Sequence, residues 1–195
     1  MTFPKALLVD LDGTLIDTRE ANYLAYAAAL GSVGVKLDRA RWRTTCEGSN
    51  WRQFLPQMVS HLPGVDPATL SAKKAAFYPA MLSNSRVNKG LVRRLRAARG
   101  RAKIALVTTA SRVNADAALR HYGLTDLFDV IVTGCDVERH KPSPDAFHLA
   151  ANLLDVAPGD CLVFEDSEIG RSAAAAFGAR CIAISLQRSP RSTEC

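Results

Sequence analysis

Short apolar runs alternate with longer amphipathic stretches along this chain, and the alternation predicts its elements. The apolar run 6–9 predicts a first strand. Four later apolar runs predict further strands, at 103–108, 130–133, 161–164 and 179–184. Stretches with apolar residues at helical spacing lie between or before them, at 90–98, 112–122, 144–154 and 168–177. Short apolar strands that alternate with helices are typical of a parallel sheet with helices on both faces.

The segment 18–85 has a different pattern. Helical spacing recurs there at 19–30, 39–45, 51–62 and 68–82, with no strand pattern between. The first strand must nevertheless join the later strands in one sheet. We therefore predict an α/β fold in which residues 1–17 and 86–195 form a doubly wound, Rossmann-like parallel sheet. Residues 18–85 are predicted to be an inserted α-helical cap domain.

Composition narrows the class of protein. The chain has 195 residues, of which 48% are hydrophobic, enough for a sizeable core. No run approaches the ~20 apolar residues that span a membrane, and the first residues lack a secretory pattern. Five cysteines without metal-ligand spacing favour a reducing cytoplasm. Cys135, Cys161 and Cys181 lie in or beside apolar runs and are predicted to be small buried side chains.

The net charge of +6 raises the question of a nucleic-acid partner. Much of the charge lies between Arg93 and Lys103, at the predicted outer face and exit of one helix. A solvated helix face is the usual explanation of such a cluster, and no aromatic residues interleave with it as in single-strand binders. We expect neither a nucleic-acid nor a membrane partner, and some of the charge can attract an anionic substrate.

Polar side chains follow four of the predicted strands. They are Asp10 and Asp12, Thr108 and Thr109, Lys141, and Glu165 and Asp166. Polar groups of open parallel sheets gather at the carboxyl ends of the strands, so these side chains are expected to share one pocket. Asp10 and Asp12 face the same way on an extended backbone, so one can attack a substrate while the other transfers a proton.

Each of these segments also has an ordinary structural interpretation. Asp12-Gly13 is a hairpin signal, and the hydroxyls of 108–111 are typical helix caps. Lys141 before a proline is compatible with a loop lysine, and Asp166-Ser167 with another helix cap. Taken singly, each alternative is at least as good as the functional one. Their joint occurrence at four strand ends favours a site.

On these residues the chain resembles the haloacid dehalogenase superfamily, in the group with a helical cap after the first motif. That group includes proteins similar to phosphoglycolate phosphatase and beta-phosphoglucomutase. The matching segments are Asp10–Leu15, Leu106–Thr108, Lys141–Asp145 and Val163–Gly170. The resemblance implies a phosphatase that forms an aspartyl phosphate, with Asp10 as nucleophile and Asp12 as general acid and base. It implies that Thr108, Thr109 and Lys141 bind the phosphate.

The resemblance also implies a Mg²⁺ cofactor. Its ligands would be Asp10, Asp166 and the backbone carbonyl of Asp12, with Glu165 binding the metal directly or through water. Mg²⁺ suits such a set because it prefers hard oxygen donors. The second acid, Asp12, favours phosphate ester chemistry over cleavage of carbon–halogen bonds.

The expected substrate is a small phosphorylated metabolite, and a monomer is favoured. Two alternatives stay open: a sugar phosphomutase of the beta-phosphoglucomutase type, and a catalytically idle binding protein. Sugar phosphomutases usually have a histidine where Asn22 stands, which counts against the first. In the cap, Asn22 and Arg52 are candidate substrate contacts. The segment 47–52 resembles the specificity loop of the family, where Arg52 is either an anion ligand or a surface residue.

Overall fold

The computed structural model of the chain describes residues 3–47 and 50–186. Positions 48 and 49 of the predicted specificity loop lie outside the described residues. Contacts divide the chain into two compact units. The first comprises the residues up to Asp17, then Val87–Ser111, then Asp126 onward; the second comprises Thr18–Arg86 and Arg112–Thr125.

The first unit is built on a five-stranded parallel sheet. Its strands are β1 (Ala6–Val9), β4 (Lys103–Val107), β5 (Val130–Val132), β6 (Cys161–Glu165) and β7 (Arg180–Ala183). They are ordered β5-β4-β1-β6-β7, and each strand is parallel to its neighbours in the sheet. Two short strands, β2 (Ile16–Asp17) and β3 (Arg86–Val87), pair separately with each other. The first strand along the chain is thus the central strand of the sheet.

Apolar side chains cover both faces of the central strand. Three helices belong to this unit: α5 (Lys89–Ala98), α7 (Asp145–Leu154) and α8 (Glu168–Phe177). Ala6 and Leu8 lie in a buried cluster with Phe147 of α7 and Phe177 of α8. Successive strand residues point to opposite faces, and the intervening Leu7 is buried as well. The continuous apolar run of β1 therefore reflects burial on both sides.

The second unit is helical. Its α-helices are α1 (Arg19–Gly31), α2 (Arg39–Arg41), α3 (Trp51–Val59), α4 (Pro67–Met81) and α6 (Arg112–His121). A π-helical turn spans Trp42–Cys46, and a 3-10 turn spans Leu82–Asn84. Its mostly aliphatic core contains a group of aromatic rings, in which the ring centroid of Tyr26 lies 5.7 Å from that of Trp42 and 5.1 Å from that of Phe54.

The predicted fold class is confirmed, with a parallel sheet and a helical insertion between β1 and β4. The domain boundaries stay a prediction, and the contact-based units differ from them in grouping α6 with the inserted helices. The prediction for Cys135 is wrong: Cys161 is buried, but Cys135 is exposed in a turn beyond the end of β5. Within the described chain, no helix is both long and apolar enough to cross a membrane.

Candidate active site

Asp10 lies directly beyond β1, at the carboxyl edge of the sheet. Its main-chain N–H donates a hydrogen bond of 3.0 Å to the carbonyl of Phe164, which continues the parallel pairing for one more residue. Strand β1 pairs only with β4 and β6, both parallel, and not with β2. The hairpin interpretation of Asp12-Gly13 is therefore wrong.

The turn after Asp10 depends on Gly13. Its φ of +90° is a conformation that side chains other than glycine rarely adopt. A Cβ at this position would lie 2.2 Å from Oδ2 of Asp166. The next residue, Thr14, donates from its hydroxyl to Oδ1 of Asp166 at 2.9 Å. The turn therefore both admits the Asp166 carboxylate and holds it in place.

Lys141 joins three strand ends through one ammonium group. Its Nζ donates to Oδ1 of Asp10 at 2.7 Å, to Oε1 of Glu165 at 2.7 Å and to the carbonyl of Val107 at 3.0 Å. Burial lowers the pKa of Lys141, but Asp10 and Glu165 more than offset this effect and raise the pKa above its usual value. Its side chain is only 3% exposed, so Lys141 is not an ordinary loop lysine.

Glu165, the last residue of β6, is fixed by the start of α8. Its Oε2 accepts hydrogen bonds from the N–H and the hydroxyl of Ser167, at 2.9 and 3.0 Å. The Ser167 oxygen also accepts from the N–H of Gly170 at 3.0 Å, so the helix-cap interpretation holds for this residue as well. A Cβ on Gly170 would lie 1.8 Å from Oε1 of Glu165.

Three carboxylates meet at this edge of the sheet. Each contributes one carboxylate oxygen, and these oxygens of Asp10, Glu165 and Asp166 all lie within 4.8 Å of one another. Burial raises the pKa of Asp10 to about 8, with Lys141 opposing the rise and Glu165 adding to it. Burial raises the pKa of Asp166 too, against the hydrogen bond from Thr14.

This donor set fits a metal ion. The three carboxylates lie close together, and the Lys141 ammonium contacts two of them, so the cluster carries more negative than positive charge when ionised. Hard oxygen donors are the ligands that Mg²⁺ prefers, and a divalent cation would relieve the repulsion that raises the carboxylate pKa values. The side chains of Asp10, Glu165 and Asp166 can therefore hold a divalent cation.

The remaining predicted residues of the first unit lie at neighbouring strand ends. Thr108 follows β4 and is buried, and its Oγ1 accepts from the N–H of Ala110 at 3.1 Å. Because the oxygen accepts this hydrogen bond, the hydroxyl hydrogen of Thr108 remains available to donate to a ligand. Thr109 is exposed. Asp12 is half-buried and forms an isolated bridge with Ile16.

The two predicted cap residues lie in the second unit. Nδ2 of Asn22 donates to Oγ1 of Thr18 at 3.1 Å, so this side chain is oriented along α1. The guanidinium carbon of Arg52 lies 4.5 Å from the centroid of the Trp51 ring. Arg52 itself is exposed. Contact of either residue with substrate stays a prediction.

Sequence reasoning missed residues that support the acidic cluster. Ser167, Gly170 and Arg171 all lie at the start of α8, and the guanidinium of Arg171 donates to the carbonyl of Asp166 at 2.6 Å. One signal was available, because glycine inside a helical pattern is unfavourable and suggests a close approach at that position. Ser167 was predicted only as a helix cap, and the hydrogen bond of Arg171 left no comparable mark in the sequence.

Comparison with known proteins identifies the family. A family model described as a haloacid dehalogenase-like hydrolase matches residues 4–178. The chain therefore belongs to the haloacid dehalogenase-like hydrolases. It falls in the group that carries a helical cap after the first strand and includes beta-phosphoglucomutase, phosphoglycolate phosphatase and CbbY-like proteins.

Three relatives cover nearly the whole chain. Fructose-1-phosphate phosphatase YqaB of Escherichia coli (strain K12) is 32% identical over 92% of this chain and 96% of its own length. Validoxylamine A 7'-phosphate phosphatase of Streptomyces hygroscopicus subsp. limoneus is 31% identical over 92% of this chain and 85% of its own length. The protein in the crystal structure of CbbY from Rhodobacter sphaeroides in complex with phosphate is 28% identical in sequence. The match covers 98% of this chain and 91% of that chain, with a TM-score of 0.85.

Proposed function

We propose that this hydrolase is a Mg²⁺-dependent phosphatase of small phosphorylated metabolites, with sugar phosphates as the substrate class, and that it works through an aspartyl phosphate on Asp10. The observation that carries the proposal is the buried cluster in which Lys141 contacts both Asp10 and Glu165. A nucleophilic carboxylate, a phosphate-binding cation and metal-binding oxygens are the groups that this chemistry requires. They converge from three separate parts of the chain.

In the first half of the reaction, a carboxylate oxygen of Asp10 attacks phosphorus. The Asp10–phosphorus bond forms, the ester P–O bond breaks, and Asp12 gives its proton to the leaving oxygen. Lys141 holds Asp10 in place through the 2.7 Å hydrogen bond and supplies positive charge to the transferring phosphoryl group. The Thr108 hydroxyl donates to a phosphoryl oxygen.

In the second half, water attacks the phosphorus of the aspartyl phosphate. Asp12 now takes the proton of this water, the Asp10–phosphorus bond breaks, and inorganic phosphate leaves. Asp12 thus returns to its protonated form and Asp10 to its carboxylate. The same residue serves as acid in one step and as base in the next.

Asp10, Glu165 and Asp166 would hold the cation, with the main-chain carbonyl of Asp12 as a further oxygen donor. When bound, Mg²⁺ lowers the pKa of Asp10 and offsets the repulsion between the carboxylate and a phosphate dianion. Thr14 and Arg171 hold Asp166 at its side chain and its main chain respectively, which orients that ligand.

The substrate class rests on the relatives. Two of them are phosphatases whose names state a sugar phosphate and the phosphate of validoxylamine A, and each matches 92% of this chain. We propose that Asn22 and Arg52 contribute to recognition of the leaving group. Arg52 presents an exposed guanidinium that Trp51 holds at one face, a geometry suited to an anionic or hydroxylated substrate.

The test is phosphate release from a panel of phosphorylated sugars, acids and nucleosides, measured with Mg²⁺ and with EDTA. Asp10→Asn is assayed beside the wild type, and Asp155→Asn at an exposed position is the matched control. We expect Mg²⁺-dependent release that Asp10→Asn lacks and that Asp155→Asn keeps. More than a few per cent residual activity in freshly purified Asp10→Asn would overturn the nucleophile assignment.

A second arm separates the alternatives. A sugar phosphomutase would require a sugar bisphosphate as activator and return phosphate to sugar rather than to water. If no compound releases phosphate and no sugar phosphate is isomerised with or without a bisphosphate, an idle binding protein is favoured. The substitution of Asn22 for the histidine usual in mutases supports the phosphatase.

A further inference from the structure

A basic cavity lies at the amino ends of β1 and β4, the edge of the sheet opposite the candidate active site. Its volume is about 400 Å³, and its charged lining consists of Lys5, Arg99, Arg101, Lys103 and Asp129. All five residues belong to the first unit. Three of the cations come from the basic cluster that the sequence analysis singled out and that the proposed phosphatase reaction does not use.

The backbone brings these cations to one place. The N–H of Lys103 donates to the carbonyl of Lys5 at 2.9 Å, so these two residues start neighbouring strands side by side. At the end of α5, Gly100 has a φ of +79°, which turns the chain sharply between Arg99 and Arg101. The cluster is therefore set by the sheet register and a helix end, not by chance encounters of flexible side chains.

The cavity carries a surplus of positive charge. Of the four cations that line the cavity, Lys5 forms an ion pair within the part of the chain that the structure describes, with Asp160 at 2.8 Å. Arg99 and Lys103 each donate to a neutral main-chain carbonyl, of Asp126 and Leu154 respectively. The carboxylate of Asp129 is occupied by the N–H of Ile104 at 2.7 Å.

Arg101 is held in an orientation that suits an anion. Its guanidinium carbon lies 4.3 Å from the centroid of the Phe3 ring. An aromatic ring stacked on one face leaves the N–H edge of a guanidinium available, and that edge matches the geometry of phosphate oxygens. Neither Arg101 nor Lys103 has an ion pair among residues 3–47 and 50–186.

We propose that this cavity binds a small anion that carries two or more phosphate groups. Its volume falls in the range of small-molecule sites and exceeds what one monovalent ion needs. Four arginine and lysine side chains line the cavity, and this number of cations matches a ligand with more than one phosphate. The site shares no residue with the acidic cluster, so the proposal does not depend on the phosphatase function.

Inorganic pyrophosphate is the probe, titrated into the full chain without Mg²⁺ and followed by ¹H–¹⁵N NMR. We expect saturable shifts at the amides of Lys5, residues 99–103 and Asp129, and affinity that falls as salt rises. In Arg99→Gln/Arg101→Gln the affinity at these amides should fall at least ten-fold. In the control Arg93→Gln/Arg94→Gln, which removes the same charge from the exposed side of α5, it should change less than two-fold.

A further variant covers the case in which loss of Arg99 disturbs the local fold through its contact with Asp126. Arg101→Gln keeps that contact and should still lower the affinity several-fold. Equal weakening in the cavity variant and the control would overturn the proposal, because net charge alone would then explain binding. Shifts confined to the amides around Asp10 and Thr108, or no saturation at the cavity amides, would overturn it too.

Discussion

The two units bury positive charge in different surroundings. In the first, the Lys141 ammonium is enclosed by oxygen atoms of Asp10, Glu165 and Val107. In the second, Lys74 is also buried, and its Nζ lies 4.1 Å from the ring centroid of Tyr78 and 5.2 Å from that of Tyr26. Carboxylate oxygens contact the Lys141 ammonium, and two tyrosine rings lie beside the Lys74 ammonium.

The surroundings of the two lysines indicate what the interior of each unit is suited for. Burying several charges together costs desolvation energy, and apolar residues of the same shape would often be as stable. The cluster around Lys141 is therefore better explained by chemistry than by stability. A tyrosine ring attracts a cation and supplies apolar packing surface at the same time, so the core of the second unit gains packing and shape. Shape is what recognition of a leaving group requires.

The largest test of this comparison replaces each buried lysine by methionine. Lys141→Met leaves Asp10 and Glu165 without their shared partner, so we expect kcat to fall about 10³-fold and the free energy of unfolding in EDTA to fall by about 3 kcal/mol. Lys74→Met keeps the packing volume and adds sulfur–aromatic contacts, so its loss of stability should be smaller. Activity assays and urea unfolding measure both. Equal losses of stability would break the comparison.

Two glycines give the next test. Gly170→Ala places a Cβ 1.8 Å from Oε1 of Glu165, so that carboxylate must move, and we expect kcat to fall about 10- to 100-fold. Gly31, in the last turn of α1, has no atom within 4 Å of its would-be Cβ. Gly31→Ala should keep full activity and stabilise the chain by about 0.5 kcal/mol. Full activity of Gly170→Ala would show that the Glu165 position is not critical.

A smaller effect is expected from Arg52→Ala in the second unit. If the arginine recognises the leaving group equally in the ground and transition states, KM rises about ten-fold while kcat changes little. Arg43→Ala, which removes another exposed cation of the same unit, is the matched control and should leave KM unchanged. A fall in kcat without a change in KM would argue against a recognition role and would blur the contrast between the units.

The smallest effect concerns the start of α4. The side-chain hydrogen bond from Thr69, together with those from the main chain of Thr69 and Ala68, lowers the pKa of Asp66. A lowered folded-state pKa means that the contribution of Asp66 to stability is present above its unfolded pKa of about 3.9 and is lost as pH falls through the folded value. Asp66→Asn should therefore lower Tm at pH 7, and the difference from wild type should shrink towards pH 3. If the difference in Tm did not depend on pH, the stabilising effect of this helix cap would come from neutral hydrogen bonding rather than from the charge of Asp66.

The extent to which sequence predicted the fold follows from the length of each pattern. Strand β1 begins and ends as predicted because a continuous apolar run between polar residues marks it, and α8 does too because its apolar periodicity extends over the whole helix. The two-residue strands β2 and β3 were missed, since two residues form no period. The π-helical turn at Trp42–Cys46 was predicted as ordinary helix, because helices with different hydrogen bonds share nearly the same apolar spacing.

The candidate site likewise has features that the sequence predicts and features that it does not. Asp10, Glu165 and Asp166 follow strands directly, so their convergence was predictable from sheet topology. Lys141 was expected in the same pocket, but its hydrogen bond to Asp10 spans 131 positions and depends on how a loop folds back, which no local pattern encodes. The exposure of Cys135 was mispredicted because an apolar neighbourhood in the sequence was taken for one in space.

The central position of β1 has a consequence for how the chain is made. Its neighbours in the sheet begin at Lys103 and Cys161, so β1 leaves the ribosome about 100 and then about 155 residues before the strands that flank it. At ~5–20 residues per second, the second neighbour follows roughly 8–30 seconds later. Asp10 meets Lys141 and Glu165 only after that strand docks. Synthesis must therefore have passed Glu165 before the cluster around the candidate nucleophile is assembled, and shorter nascent chains hold an incompletely paired apolar strand that chaperones can recognise.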